Sequence, residues 1–440
     1  MNVQTKNLAA LASNVLDTLE YQSGFGNEFE TEARAGALPA GQNSPQRPPM
    51  GLYSELVSGS TFSSPRALNR RSYLYRLRPS TLPGEFRQIA EKGFLTPPFS
   101  RAPSPDAYRW AAFSLPAEPV DFIDGMITLC GNGSPMQQQG MAMHIYRATA
   151  SMEDRVFGNA DGEMLILPEL GGLRIFTEFG VLEVKPGDLA LIPKGVKFRV
   201  DLVGPQARGY ICENFGASFR LPELGIVGSN GLANAIDFRA PVAAFEDKQT
   251  PTQLIQKFAG RLWATELDHS PLDVVAWRGS LTPYKYDLYR FVALGSLTVD
   301  HPDPSLFTAL TSPSDPIAGP NADFLVVTPR WSVAEHSMRL AGFHRNCVVE
   351  FSGILEGGGV LQSGGAHINN NWVPHGPEPA ALEGARAAEL KPERTDDGIK
   401  FLIETRFPLQ VTEIAYDAPE RMKGLAARFG GYSRGHPLPS

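Results

Sequence analysis

Leu182-Glu183-Val184-Lys185-Pro186-Gly187-Asp188, followed after a short apolar run by Pro193-Lys194-Gly195-Val196-Lys197-Phe198-Arg199-Val200-Asp201-Leu202, sets the fold class. Val196, Phe198, Val200 and Leu202 alternate with Lys197, Arg199 and Asp201, the period-two pattern of a strand buried on one face only. Leu182 to Lys185 does the same, and Pro-Gly-Asp and Pro-Lys-Gly cut the segments into short pieces with tight turns. Repeated short strands separated by turn residues predict an antiparallel β-sandwich or barrel.

Outward from this stretch, the region from Ser23 to about Pro119 is rich in Gly, Pro, Ser and Asn, as in Gly41-Gln42-Asn43-Ser44-Pro45-Gln46 and Thr96-Pro97-Pro98. It reads as turns and irregular segments wrapped on a core. A third region, from about Tyr284 to Leu409, returns to β-type runs: Phe324-Leu325-Val326-Val327, Cys347-Val348-Val349 and Lys400-Phe401-Leu402-Ile403. Val184 to Val200, with its two turns, resembles the small barrels called cupins. Lys197 and Phe198 stand where a metal-binding cupin places histidines, so this resemblance implies a structural barrel without metal. Helix is expected at Pro379 to Leu390, with Pro in the first turn and Lys391-Pro392 as the stop, and at Pro419 to Phe429. Leu8, Leu11, Val15 and Leu19 recur at helical spacing and predict a short amphipathic helix docked on the body or on a neighbouring subunit.

Composition narrows the class. With 40 Lys+Arg against 47 Asp+Glu, the net charge of −7 lacks the basic stripe that nucleic acid needs. No run of about 18 apolar residues spans a bilayer, and Met1 to Tyr21 has neither the basic start nor the apolar core of a secretory signal. Cys130, Cys212 and Cys347 are too few and too scattered for a disulfide framework or a thiolate metal site, which points to reduced thiols in a cytoplasmic protein. Gly357-Gly358-Gly359 lacks a following Gly-Lys-Ser/Thr and reads as a loop, and no Gly-x-Ser-x-Gly nucleophile turn exists.

Of eight histidines, His301, His336, His344, His367 and His375 fall within one window; His144, His269, His336 and His436 are read as structural or surface. Two imidazoles and a carboxylate, here His344, Glu350 and His375, are the ligand types of the facial triad that holds oxygen-activating non-haem Fe(II). Six residues of straight strand span ~20 Å, and on a helix ~9 Å with different facing. His344 and Glu350 can therefore share an ion only if the backbone turns between them, with Arg345-Asn346 the natural place. His375, between Pro374 and Gly376-Pro377, would be presented by a rigid turn. From residue types alone, a metal triad and an ordinary set of histidines beside an ion-paired Glu both stand.

Longer ordered blocks add a resemblance. Tyr21-Gln22-Ser23-Gly24-Phe25-Gly26-Asn27-Glu28, Gly41 to Gln46, Arg71-Ser72-Tyr73-Leu74-Tyr75-Arg76, Gly231-Leu232-Ala233-Asn234, Thr282-Pro283-Tyr284-Lys285-Tyr286, His344-Arg345-Asn346 and Pro374-His375-Gly376-Pro377 together resemble the homogentisate 1,2-dioxygenase family from residue 21 to about 410. The resemblance implies Fe(II) held by His344, Glu350 and His375, with His375 also against the substrate, His301 as acid/base at the substrate phenol, and His367 behind the ligands. It implies a mainly β, cupin-like chain: a structural part over residues 1–285 and a catalytic part over 286–440. It further implies a homohexamer (a dimer of trimers), and cleavage of homogentisate by O2 to maleylacetoacetate in tyrosine and phenylalanine catabolism. Two departures bear on the substrate. Phe351 to Pro374 is shorter than the family's segment and contains no Tyr, and Leu340-Ala341-Gly342-Phe343 replaces a Pro-Pro and two aromatics. A related dioxygenase acting on another hydroxylated aromatic acid, and a catalytically silent cupin that only binds, are the rival expectations.

Overall fold

The computed structural model describes residues 19–81, 84–294, 298–301, 303–333, 335–359, 361–396, 398–433 and 435. His436 and most of the expected amino-terminal helix lie outside them; Leu19 is described and packs, partly buried, beside Val156, Phe176 and Leu254. The chain is mainly β, as its alternating patterns predict.

Two long strands, Glu163–Thr177 and Lys197–Asn214, form the spine of a 14-stranded sheet. Their register pairs Leu173 with Leu202 and Ile175 with Val200. Leu173, Ile175 and Val200 are fully buried and Leu202 partly so, while Lys197, Arg199 and Asp201 stay half-exposed, as their alternation requires. The pairing is antiparallel except where Thr252–Phe258 runs parallel to Arg155–Asn159. A four-stranded sheet built on Val274–Gly279 and Arg71–Arg76 closes one side, and Trp277, Phe179, Phe198 and Phe157 fill the space between. Gly279 sits at φ +144 where an added Cβ would meet Arg71 O at 2.2 Å. Gly279→Ala should therefore lower stability by at least the ~1–3 kcal/mol of a strained backbone position, read as a drop in the thermal midpoint.

A six-stranded sheet runs in the order Thr308–Ser312, Ala322–Val327, Lys400–Thr405, Val349–Ile354, Ala366–Asn369 and Tyr108–Trp110. One of its faces carries Phe324, Phe351, Phe401 and Ile403 into the core, and the Tyr210 ring of the large sheet meets Phe401 edge-on at 5.0 Å. Tyr210 OH donates to Gly365 O at 2.8 Å, tying the two sheets together. The two halves also exchange segments. Tyr108–Trp110 joins the edge of the six-stranded sheet, and Gln410–Val411 returns to pair with Ile127–Gly131.

Helices depart from expectation at their ends. Pro379–Ala387 is helical with Pro at its start, but it stops at extended Ala388, before Leu390. Only Leu425–Arg428 of the second candidate is helical. The five-residue helix Glu413–Asp417, unanticipated, is capped by Thr412 Oγ1, which accepts from Ala415 N. Cys347, read as a buried strand thiol, lies half-exposed in a bend ahead of the strand that begins at Val349.

Candidate metal centre

The outer face of the six-stranded sheet is polar because its strands alternate. Across it, register aligns Thr311, Asp323, Glu404, Glu350 and Asn369 into one row, while the apolar neighbours of these residues point to the core. Glu350 is thus carried on a central strand and rigidly placed. His344 and His375 come from outside the sheet and are held to each other by a two-residue antiparallel bridge, each N–H donating to the other's carbonyl at 3.0 Å. Trp372 N donates to Asn346 O at 2.8 Å and extends that bridge. The backbone does bend between bridge and strand, but at Cys347 and Val348 rather than at Arg345-Asn346, where the spacing places the turn.

The side chains then converge. His344 Nε2 lies 3.3 Å from Glu350 Oε1, and His375 Nε2 lies 3.3 Å from Glu350 Oε2. One ligand atom from each of the three residues can be chosen so that all fall within 4.8 Å of one another. Each imidazole has its other nitrogen against a carbonyl: His344 Nδ1 at 2.9 Å from Gly342 O and His375 Nδ1 at 2.9 Å from Val373 O. The hydrogen-bond network therefore assigns the proton to Nδ1 in both rings and turns both Nε2 lone pairs toward the carboxylate. Buried His375 Nε2 makes no well-formed hydrogen bond despite its 3.3 Å approach to Glu350. Asn346 Nδ2 donates to Glu350 Oε1 at 2.7 Å and fixes the carboxylate.

Electrostatics make the same point. Two lone pairs facing a carboxylate repel unless positive charge sits between them. Burial would raise the Glu350 carboxyl, but the hydrogen bond and charge of His375, helped by Asn346 and His344, bring it down to about 2. Burial lowers His375, and the Glu350 carboxylate more than reverses this, leaving it above its ordinary value. A proton on His375 supplies that charge here; with both Nε2 atoms deprotonated, two imidazoles and one carboxylate form a donor set that suits a divalent first-row metal.

His367 stands on the same strand face as Asn369, in register with Ser352 and Arg109. Burial, with the Arg109 charge beside it, pushes its imidazole down to about 3, so it is neutral, and its Nε2 has no partner among the described residues. Glu404 and Asp323, which the sequence reading passed over, lie behind Glu350. Burial first, then the charges of Glu350, Asp323 and Asp303, raises Glu404 to about 8, so it is a neutral acid at pH 7. Their signal was present as Glu404 and Asp323 at alternate positions of apolar strands. His301 is exposed, one residue after Asp300 with its positive φ of 72. The electrostatic reach of Asp303 to Glu404 puts this loop on the polar face. His144 is fully buried, and His269 pairs with Asp268 away from the triad.

Known proteins match along the whole body of the chain. Residues 20–288 match the family described as homogentisate 1,2-dioxygenase N-terminal, and residues 289–434 match homogentisate 1,2-dioxygenase C-terminal. Among solved structures, a cupin 2 conserved barrel domain protein from Leptotrichia buccalis is similar at 10% identity, over 67% of this chain and 91% of its own, with a TM-score of 0.29. A mutant oxalate decarboxylase from Bacillus subtilis is similar at 10% identity, over 72% and 80%, with a TM-score of 0.30. A putative glyoxylate induced protein from Pseudomonas aeruginosa is similar at 12% identity, over 74% and 96%, also at 0.30.

Proposed function

The chain belongs to the homogentisate 1,2-dioxygenase family, and from that premise we propose that it cleaves homogentisate with O2 to maleylacetoacetate, an Fe(II)-dependent step of tyrosine and phenylalanine catabolism. The observation that carries the iron assignment is the convergence of His344, Glu350 and His375. Both imidazoles are locked by carbonyls with Nε2 toward the carboxylate.

Fe(II) held by His344, Glu350 and His375 would supply the electron density that O2 activation requires. The protein's own part is binding, orientation and proton movement. Glu350, steadied by Asn346, and the bridged pair His344 and His375 fix the metal, and His375 also faces the substrate. His301 takes the phenol proton at an imidazole nitrogen, which lets the phenolate form where it is to react. Ring opening falls between the carbon bearing the acetate arm and the adjacent hydroxylated carbon, with both oxygen atoms retained in the product. His367, neutral and in register with Ser352, two positions along the strand from Glu350, shapes the floor of the site. His301→Asn should keep full iron content and lose ~10²–10⁴-fold in kcat; an iron-free His301→Asn protein would place His301 among the ligands instead.

A specific observation favours a second reading. Phe351 to Pro374 holds no Tyr, so the wall of the substrate site differs from the family's, and a related hydroxylated aromatic acid becomes the rival substrate. Turnover across a panel of dihydroxylated aromatic acids separates the two. The remaining parts of the proposal are a structural part over 1–285 with a catalytic part over 286–440, a homohexamer of two trimers, and a cytoplasmic location. Sedimentation velocity tests the assembly. Among the described residues no helix is long and apolar enough to cross a membrane.

A further inference from the structure

The carboxyl-terminal segment runs from the edge of the six-stranded sheet back to the metal centre. Residues 420–422 pair with the Tyr108–Trp110 strand: Met422 N donates to Arg109 O at 2.8 Å, Ala111 N donates to Glu420 O at 2.9 Å, and Arg421 bridges Trp110. The chain then turns at Gly424, whose φ of +72 is left-handed and where an added Cβ would meet nothing within 4 Å. Glycine stands there for the turn and not for space. After the helical turn Leu425–Arg428, Gly430 and Gly431, the latter at φ +93, form a second joint before Tyr432. Leu425, Ala426, Phe429 and Tyr432 form one wall of a cavity of about 590 Å³ whose lining also includes His375.

Tyr432 closes this segment onto the two turns that carry the imidazoles. Its hydroxyl donates to Pro377 O at 2.6 Å, two residues after His375. Its ring meets that of Phe343 edge-on with 5.5 Å between centroids, one residue before His344. Phe343 in turn lies on Gly376, where an added Cβ would fall 2.6 Å from Phe343 Cδ1 and 3.0 Å from its Cα. Only glycine lets the two turns approach this closely. One side chain therefore touches both of the turns that the His344–His375 backbone bridge joins. Arg428 Nη1, 3.4 Å from Glu378 Oε1, adds an exposed ion pair, which contributes little.

We propose that Leu425–Tyr432 is a strap with Tyr432 as a positioning residue: it clamps the Phe343-His344 turn to the His375-Gly376-Pro377 turn, and its release at Gly424 sets how fast the metal leaves. A segment held by one hydrogen bond and one ring contact opens locally while the sheets stay folded. Its opening exposes the two bridge amides and lets the imidazoles part, whereas Glu350 stays on its central strand. The metal half of this inference rests on the triad reading, and the clamp itself does not.

The test is amide hydrogen exchange on the metal-free full chain, followed by iron release from the Fe(II)-loaded chain into the chelator ferrozine. In Tyr432→Ala, the His344 and His375 amides should exchange at least tenfold faster than in the wild type, while the Phe351 and Phe401 amides of the sheet keep their rates. Iron release should accelerate by ~10–100-fold, the loss in metal affinity that accompanies removal of a group supporting a ligand. Tyr432→Phe, which keeps the ring and loses the hydroxyl, should fall between. The Phe343→Ala/Tyr432→Ala double variant should be no faster than Phe343→Ala, because both act through one contact. Wild-type exchange at the bridge amides of Tyr432→Ala overturns the clamp, and so does acceleration shared equally by Phe351 and Phe401, which marks a general loss of stability. Faster exchange with unchanged iron release overturns the strap's control of the metal. A wild-type chain that takes up no iron overturns the triad reading, and the exchange rates then decide the clamp alone.

Discussion

Alanine in place of His344 or His375 should abolish iron binding and turnover while leaving the fold intact, as the proposed triad requires. Each imidazole supplies one of only three protein donors, and its Nδ1 is already committed to a carbonyl, so no rotation offers a replacement. The loss should exceed the ~10–100-fold in metal affinity that accompanies removal of a group merely supporting a ligand. Asn346→Ala is the matched control. It removes the 2.7 Å hydrogen bond that fixes Glu350 without removing a ligand, and so should weaken iron by that smaller ~10–100-fold factor. The fold survives because His344 is about 40% exposed in its side chain and its bridge to His375 is made by backbone atoms. Metal analysis after reconstitution, beside circular dichroism, checks both halves; a His344→Ala protein with full iron content would contradict the triad.

Lys257→Met should cost about 3–5 kcal/mol of stability, the usual price of stranding one member of a buried charge pair. Lys257 Nζ sits 2.6 Å from Glu213 Oε1 and 3.3 Å from Asp161 Oδ2, with Lys257 and Glu213 at 1% and 0% side-chain exposure. Glu213 Oε2 is also 3.2 Å from His144 Nε2, and His144 Nδ1 lies 2.9 Å from the Thr128 hydroxyl. Burial holds His144 below its ordinary value, hence neutral. Its Nε2–H therefore donates to Glu213 and its Nδ1 accepts from Thr128. Removing the ammonium leaves the fully buried Glu213 carboxylate with only the neutral donors Asn159 Nδ2 and His144 Nε2. A Lys257→Met/Glu213→Gln double variant should recover much of the loss.

The pH dependence has a definite sign. Burial would raise Glu213, but Lys257 and His144 bring it down to about 2 from an ordinary 4.5. A depressed carboxyl contributes stability above its unfolded value that is lost as the pH falls from 4.5 toward 2. Neutral buried His144 acts in the same direction, starting near its unfolded value of 6.5. Urea midpoints measured between pH 7 and 3 should therefore fall in the wild type and fall less in the double variant.

The fold was legible where one face of a strand meets solvent. Val196 to Leu202 alternates because Lys197, Arg199 and Asp201 remain half-exposed. It was not legible where both faces are covered, as in Asp188–Ile192, whose five residues are all buried and show no period. Helix ends failed for a local reason. The stop at Ala388 is an extended backbone residue with no Gly to announce it, and residues 419–420 turn so that Arg421 bridges to Trp110 instead of entering a helix.

At the site, residue types and the need for a bend between His344 and Glu350 could be read from spacing, but not its place, which is Cys347–Val348 rather than Arg345-Asn346. The register row that sets Glu404 beside Glu350 and Asp323 beside Glu404 could not, because it depends on strands more than fifty residues apart lining up. Asn346 sat in a quoted motif, yet its contact with Glu350 depends on the Trp372 N to Asn346 O bond across the loop. Phe343 and Tyr432, far apart in sequence, meet only after the carboxyl-terminal segment folds back past the Tyr108–Trp110 strand.

Oxygen uptake by the Fe(II)-loaded protein in the presence of homogentisate, with maleylacetoacetate followed in the same sample, tests the central claim most directly. One O2 consumed for each maleylacetoacetate formed, and neither in His344→Ala, is the predicted result. Stoichiometric iron without oxygen uptake or product would contradict homogentisate as the substrate and turn attention to the Tyr-free segment from Phe351 to Pro374.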